Sequence, residues 1–283
     1  MGFHETALQY FGLVALGFAV GGYGTLIGAG GGFILMPVLL LLYPHDSPSQ
    51  LTAISLAVVF FNALSGSEAY ARMKRIDYKA GLLFAVATVP GAVIGALTTS
   101  FISRRMFDGI FGVFMIAIGL LMFAKPKTEE GGGRTFPNPF GEPFEITHQV
   151  ISADGLTFEY TFNPIVGVVL SFFVGYLSSF LGIGGGIIHV PAMAYLLNFP
   201  VHIATATSHF VLAIMAFTGS LVHIGMGSFH HGAQRTAALG LGVLAGAQVG
   251  ALFSNKIKGS WIIRSLALAL TLVGIRILIA AFW

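Results

Sequence analysis

Two strings, GAGGGFILMP at 28–37 and GIGGGIIHVP at 182–191, hold the densest chemistry in the chain. Clustered glycines let the backbone leave a helix with N–H groups that no side chain crowds. An apolar run follows each cluster, so each predicts a short helix whose start carries orphan donors and positive partial charge. That arrangement suits a small anion. The candidate binding groups are Gly30, Gly31 and Gly32 in the first copy and Gly184, Gly185 and Gly186 in the second. Close helix packing is the competing use of such glycines. Two copies at matched places, each before a short apolar run, favour the binding site.

Polar side chains set into the neighbouring apolar runs could complete such a site. Thr52, Ser55 and Asn62 follow the first string, and Thr205 and Ser208 follow the second. A compact oxyanion needs several converging donors, and no Lys or Arg lies deep in these central runs. An isolated hydroxyl can instead bond its own preceding helical turn. His189 and His209 stand where the first half has Leu35 and Leu56. They are candidates for a proton-linked step, with a satisfied buried imidazole as the alternative. His189, His209 and His223 together would be the basis of a histidine-based membrane enzyme or metal-handling protein. His189 and His209 are twenty residues apart on different elements without a carboxylate partner, a weak pattern for a metal. Cysteine is absent, as are HExxH and GK[ST] strings, and the glycine strings do not follow a strand. The expectation is a protein that is not an enzyme and uses no cofactor or resident metal.

The elements that would position these residues are membrane helices. Of 283 residues, 9% are charged and 55% hydrophobic, with a mean hydropathy of +0.86. Ordinary globular domains are roughly 25% charged. Twenty-five formal charges cannot give a chain of this size a soluble skin. Apolar runs fall at about 6–27, 33–43, 50–70, 79–100 and 106–124, and again at about 163–181, 187–198, 203–225, 236–253 and 261–282. Most reach the ~20 residues that cross a hydrocarbon core, but the second of each set covers only about 16 Å. The polar stretch between them carries Gly131 to Gly133 and Pro137, Pro139 and Pro143, then alternates around Asp154-Gly155 as a hairpin does. The division is an N-terminal membrane repeat at 1–124, a soluble linker at 125–162 and a C-terminal membrane repeat at 163–283. No basic region precedes the first apolar run, so the reading has no cleaved signal segment. The basic excess behind a pI of about 9.2 is expected to anchor loops rather than bind nucleic acid.

The halves are copies of each other. The glycine strings match at an offset of 154, as do Gly21 and Gly175. Thr52, Ala53, Ser55, Ser65, Gly66 and Ser67 match Thr205, Ala206, Ser208, Thr218, Gly219 and Ser220 at 153. PGAVIGAL at 90–97 matches AGAQVGAL at 245–252 at 155. Repeated halves with broken helices are transporter architecture, with substrate near the midplane. The fold class is all-α and polytopic, with about five helical elements per half. With five elements per half the repeat is inverted. Lys and Arg then split 10 to 4 in favour of the side bearing Arg72, Lys74, Arg75 and Lys79. Four spanning elements per half would make the repeats parallel, with a split of 9 to 5. The inverted reading places both termini outside and the linker in the cytoplasm. Gly91/Gly95, Gly246/Gly250, Gly17/Gly21 and Ser171/Gly175 have the spacing of helix-packing pairs.

GAGGGFILMP and GIGGGIIHVP, each followed by a Thr/Ser-bearing helix ending in S-G or T-G, resemble the TauE/SafE sulfite and organosulfonate exporter family. ARMKRIDYKA at 71–80 and the twin PGAVIGA and AGAQVGA segments add to the resemblance, which covers both apolar blocks but not 125–162. It implies a multi-pass carrier in a bacterial plasma membrane that moves small sulfur-containing anions such as sulfite or sulfoacetate. A channel for the same anions is the alternative. The partners it implies are the anion and the bilayer, with a homodimer as a further option.

Overall fold

The computed structural model describes residues 7–124, 144–229, 232–254 and 259–282. These fold into ten helices and one two-stranded hairpin. The first half comprises α1 (Ala7–Ile27), α2 (Gly32–Leu42), α3 (Pro48–Arg72), α4 (Tyr78–Thr99) and α5 (Arg104–Ala124). The hairpin pairs β1 (Ile146–Ile151) with β2 (Thr157–Phe162). The second half comprises α6 (Pro164–Leu181), α7 (Gly186–Leu196), α8 (Val201–Gly225), α9 (Ala233–Phe253) and α10 (Gly259–Phe282). The two short runs are helices of 11 residues each. Six others are long and apolar enough to cross a membrane. The chain is an all-α, multi-pass membrane protein.

Helix starts follow local rules. Pro48 opens α3 behind Ser47, whose hydroxyl accepts from Gln50 N–H at 3.2 Å. Asp77 caps α4 through Ala80 N–H at 3.0 Å, and Asn163 caps α6 through Ile165 N–H at 2.9 Å.

The halves interlock. Helix α1 packs on α9 and α6 on α4, so equivalent helices cross from one repeat to the other, while α3 pairs with α8 and α5 with α10. The small-residue pairs make the tightest of these contacts. A methyl group at Gly17 would lie 2.3 Å from the Leu239 carbonyl oxygen, and one at Gly91 would lie 2.2 Å from that of Phe172. Such backbone approach gains dispersion where lipid offers no hydrophobic drive. Helices α3 and α8 bury 72% and 67% of their most apolar stretches, against 33% for α1, so they form the centre. Outward positions such as Phe11, Val86, Val113, Leu121, Phe173 and Leu241 are exposed apolar surface, as a lipid-facing wall requires.

Polar groups gather at the two ends. At one, Asp46 pairs with Arg235 at 2.7 Å, Tyr10 donates to Gln234 at 2.7 Å, and Arg104 donates to the Leu40 and Asp46 carbonyls at 2.9 and 2.8 Å. The hairpin sits at the other. Ala153 N–H bonds Met73 O at 2.9 Å, the Tyr160 hydroxyl donates to Asp77 at 2.6 Å, and His148 Nδ1 lies 2.5 Å from the same carboxylate. Arg75 reaches Asp154 at 3.4 Å. Burial alone would raise the Asp77 pKa, but hydrogen bonds from Tyr160, His148 and Ala80 N–H outweigh it and hold the carboxyl below its usual range. The sequence-predicted turn at Asp154-Gly155 is where the strands reverse.

Candidate functional site

Helix α1 unwinds after Ile27. Gly28 N–H turns back to Thr25 O, and the Ala29 and Gly30 N–H groups both reach Gly24 O. Gly31 then adopts φ 75°, which places its N–H groups for a fresh helix start in α2. The second half repeats this before α7, with Gly185 at φ 37°. An L side chain is disfavoured at both positions. No side chain caps either start.

The two unwound loops cross at the centre of the molecule. A methyl at Gly32 would lie 2.6 Å from the Ile183 carbonyl oxygen, and one at Gly186 would lie 2.4 Å from that of Gly28. Val59 and Leu212, one from each central helix, close the sides. A methyl at Gly184 would meet Val59 at 2.7 Å, and one at Gly30 would meet Leu212 at 2.2 Å. From this crossing α2 runs to Leu42, at the end that holds Asp46 and Arg104, whereas α7 runs toward Phe199, whose ring packs on Tyr160 and Phe162 of the hairpin. The positive helix starts therefore point to opposite ends.

The expected hydroxyls lie against these loops. Ser55 donates to Gly182 O at 2.5 Å, so its proton is already committed to the loop. Thr52 packs against Gly182, and Thr205 against Gly28. The hydroxyls of Thr52 and Ser208 are buried without a hydrogen-bond partner. Asn62 is fully buried with its amide nitrogen 3.1 Å from where a Gly31 side chain would start, and that nitrogen also has no partner. Thr25, fully buried at the end of α1, donates to Asn62 Oδ1 at 2.6 Å, which turns the amide NH2 to the free side. His209 Nε2 meets the same Thr25 oxygen at 3.4 Å. With the Thr25 proton committed, Nε2 carries the hydrogen in that contact. Tyr70 completes the cluster by donating to Thr25 O at 2.8 Å, with its ring edge-on to His209.

The α7 start has a different lining. Ser178 Oγ lies 2.5 Å from where a Gly185 side chain would start, whereas Ser179 Oγ faces α8, 2.8 Å from the equivalent point on Gly219. Both serines are fully buried and both hydroxyls lack a partner. At the repeat positions of Asn62 and His209 stand Met215 and Leu56.

His189 lies apart from the crossing cluster. Its Nε2 meets Ser171 at 3.2 Å and its ring faces Phe84. His223 meets Ser49 at 3.3 Å. The three membrane histidines occupy three neighbourhoods, and no group of three His, Asp or Glu suited to a metal occurs among the described residues. Gln248 donates to Ser65 on α3, and Glu68 pairs with Arg72 on the surface as their spacing predicts. His230 and His231, expected in a solvated loop, lie outside the described residues. Sequence reasoning missed Thr25, Tyr70, Ser178 and Ser179. The repeat offset of 154 that pairs Thr25 with Ser179 was the signal that could have found two of them.

The family model described as Sulfite exporter TauE/SafE matches residues 13–277. The "Probable membrane transporter protein YunE" of Bacillus subtilis is 34% identical over 94% of this chain and 96% of its own length. The "Probable membrane transporter protein MJ0441" of Methanocaldococcus jannaschii is 28% identical over 75% of this chain and 71% of its own. No solved structure matches the chain. With its duplicated glycine loops and interlocked helices, the chain is a membrane transporter that belongs to the TauE/SafE family.

Proposed function

We propose that this transporter is a secondary carrier that exports small sulfur-containing anions, sulfite or an organosulfonate, across a plasma membrane. The observation that carries the reading is a buried, unpartnered donor beside each uncapped half-helix start: Asn62 at Gly31 and Ser178 at Gly185. A buried donor without a partner costs about 1–3 kcal/mol, and an arriving oxyanion oxygen removes that cost. A sulfonate offers three acceptor oxygens and no proton at neutral pH. Dipoles and hydroxyls hold it without a desolvated Arg, which would bind too tightly for release on the far side. Thr52, Ser55, Thr205 and Ser208 line the loops in this reading. His209, and more remotely His189, couple a proton to the passage. The 1–124 and 163–283 blocks act as inverted repeats around the crossing. The opposed directions of α2 and α7 support that inversion.

The test is anion flux in proteoliposomes loaded with sulfite or methanesulfonate. An alanine at Gly31 must sit at φ 75° with its methyl 2.8 Å from the Val20 carbonyl oxygen, and an alanine at Gly185 meets Ser178 Oγ at 2.5 Å. Gly31→Ala and Gly185→Ala should each abolish flux while the protein still elutes as a folded species. Normal flux in both folded variants would reduce the glycines to packing residues and end the reading. Saturable, slow flux supports a carrier, whereas rapid unsaturated current would make the protein a channel.

A further inference from the structure

We propose that the crossing holds two anion subsites of unequal chemistry, one at the start of α2 and one at the start of α7, each of which takes the same kind of compact oxyanion. The inference rests on the anion-carrier reading above and divides its site.

The loops leave no room for one anion to touch both helix starts where they cross. Glycine backbone meets backbone there, at Gly32 against Ile183 and at Gly186 against Gly28. Val59 and Leu212, 0% and 1% exposed, fill the flanks with apolar surface. The helix starts also point away from each other: α2 opens toward the hairpin end and α7 toward the end that holds Arg104. Each start has its own unsatisfied buried group. The α2 subsite has the Asn62 amide, oriented by Thr25 and backed by His209. The α7 subsite has the Ser178 hydroxyl, with no amide or imidazole at the repeat positions of Asn62 and His209.

The inequality follows from these donors. The Asn62 amide is already turned by its bond to Thr25, so an anion need not pay to orient it. The Ser178 hydroxyl has no partner to orient it, so binding must fix it. The α2 subsite is therefore the tighter one. The asymmetry sets a gradient along the path: capture on the hairpin side, weaker holding and release on the other.

Equilibrium dialysis of the purified full chain with labelled methanesulfonate tests this. The expected stoichiometry is two per chain, with dissociation constants about ten-fold or more apart. Asn62→Leu should remove the tighter site and leave the weaker at its original affinity. Ser178→Ala should do the reverse, and both variants should be slow in flux. One anion per wild-type chain, weakened by either variant, would overturn the two subsites and leave the anion-carrier reading standing. The wild-type stoichiometry decides this even if a variant fails to fold. No binding of either methanesulfonate or sulfite to the wild type would overturn both.

Discussion

Thr25 joins most of the polar contacts around the α2 start. Its hydroxyl donates to Asn62, its oxygen receives His209, and its backbone carbonyl receives Tyr70. Thr25→Val keeps the shape and removes the hydroxyl, so Asn62 Oδ1 and His209 Nε2 both lose a partner in a buried site. Each loss is worth about 1 kcal/mol or more. We expect the half-saturation concentration for sulfite flux to rise about ten-fold, with Thr25→Ser restoring most of it. An unchanged value in folded Thr25→Val would detach the cluster from transport. Taken alone, Thr25 reads in the sequence as a threonine near a helix end that bonds its own turn, and only its repeat match to Ser179 sets it apart. Asn62 was legible, since an amide in an apolar run has no such local outlet. His189 differs: its replacement of Leu35 in an apolar run made it a candidate for a proton-linked step, but the turn of α7 directs it to Ser171 and Phe84, away from the crossing cluster.

At the level of elements, the half-helices were readable because glycine strings and run lengths are local properties that survive duplication. The helix partners were not. Nothing in the spacing of Gly17 or Gly91 says that the surface each meets belongs to the other repeat. The hairpin was likewise visible as an alternating stretch around a turn, but its seat was not, because Asp77 reads locally as the cap of α4. In the structure that carboxylate serves three partners at once: the helix start, Tyr160 and His148. A carboxyl held below its ordinary range contributes stability that is complete above the unfolded value of 3.8 and is lost as pH falls through the lower folded value. The hairpin should therefore stay docked at neutral pH and loosen only in strong acid. Asp77→Asn should bring the loosening to neutral pH, seen as faster amide exchange over β1 and β2. Exchange equal to that of the wild type at neutral pH would mean that the aromatic contacts with Phe199, the Ala153–Met73 hydrogen bond and the Arg75–Asp154 pair hold the hairpin without the Asp77 charge.

Over the whole molecule, charge and architecture can be tested against each other. Arg72 and Arg75 lie at the hairpin end, in one basic stretch with Lys74 and Lys79. Arg104 and Arg235 lie at the other end, and both are engaged there: Arg104 with Asp108 and loop carbonyls, Arg235 with Asp46 and the Tyr43 ring. Cations tied into such contacts have a structural reason to sit on their side. Arg72 and Arg75 have partners too, in Glu68 and Asp154, but four cations within 72–79 are the concentration of positive charge that a cytoplasmic loop retains. The hairpin end is then expected in the cytoplasm. Because α1 starts beside α9 at the opposite end, where Tyr10 meets Gln234, the N-terminal end of α1 is expected outside. Helix α10 returns there too: it packs antiparallel on α5, with Gly274 against Gly112 and Thr271 against Gly119. Both termini should thus face outward, and the 125–162 segment inward. Reporter fusions active only outside the cytoplasm should light up at both ends and stay dark when inserted after Asp154. Fusions that place the two termini on opposite sides would require parallel halves. Both half-helix starts would then face the same side of the membrane, and an anion could not be passed from one to the other.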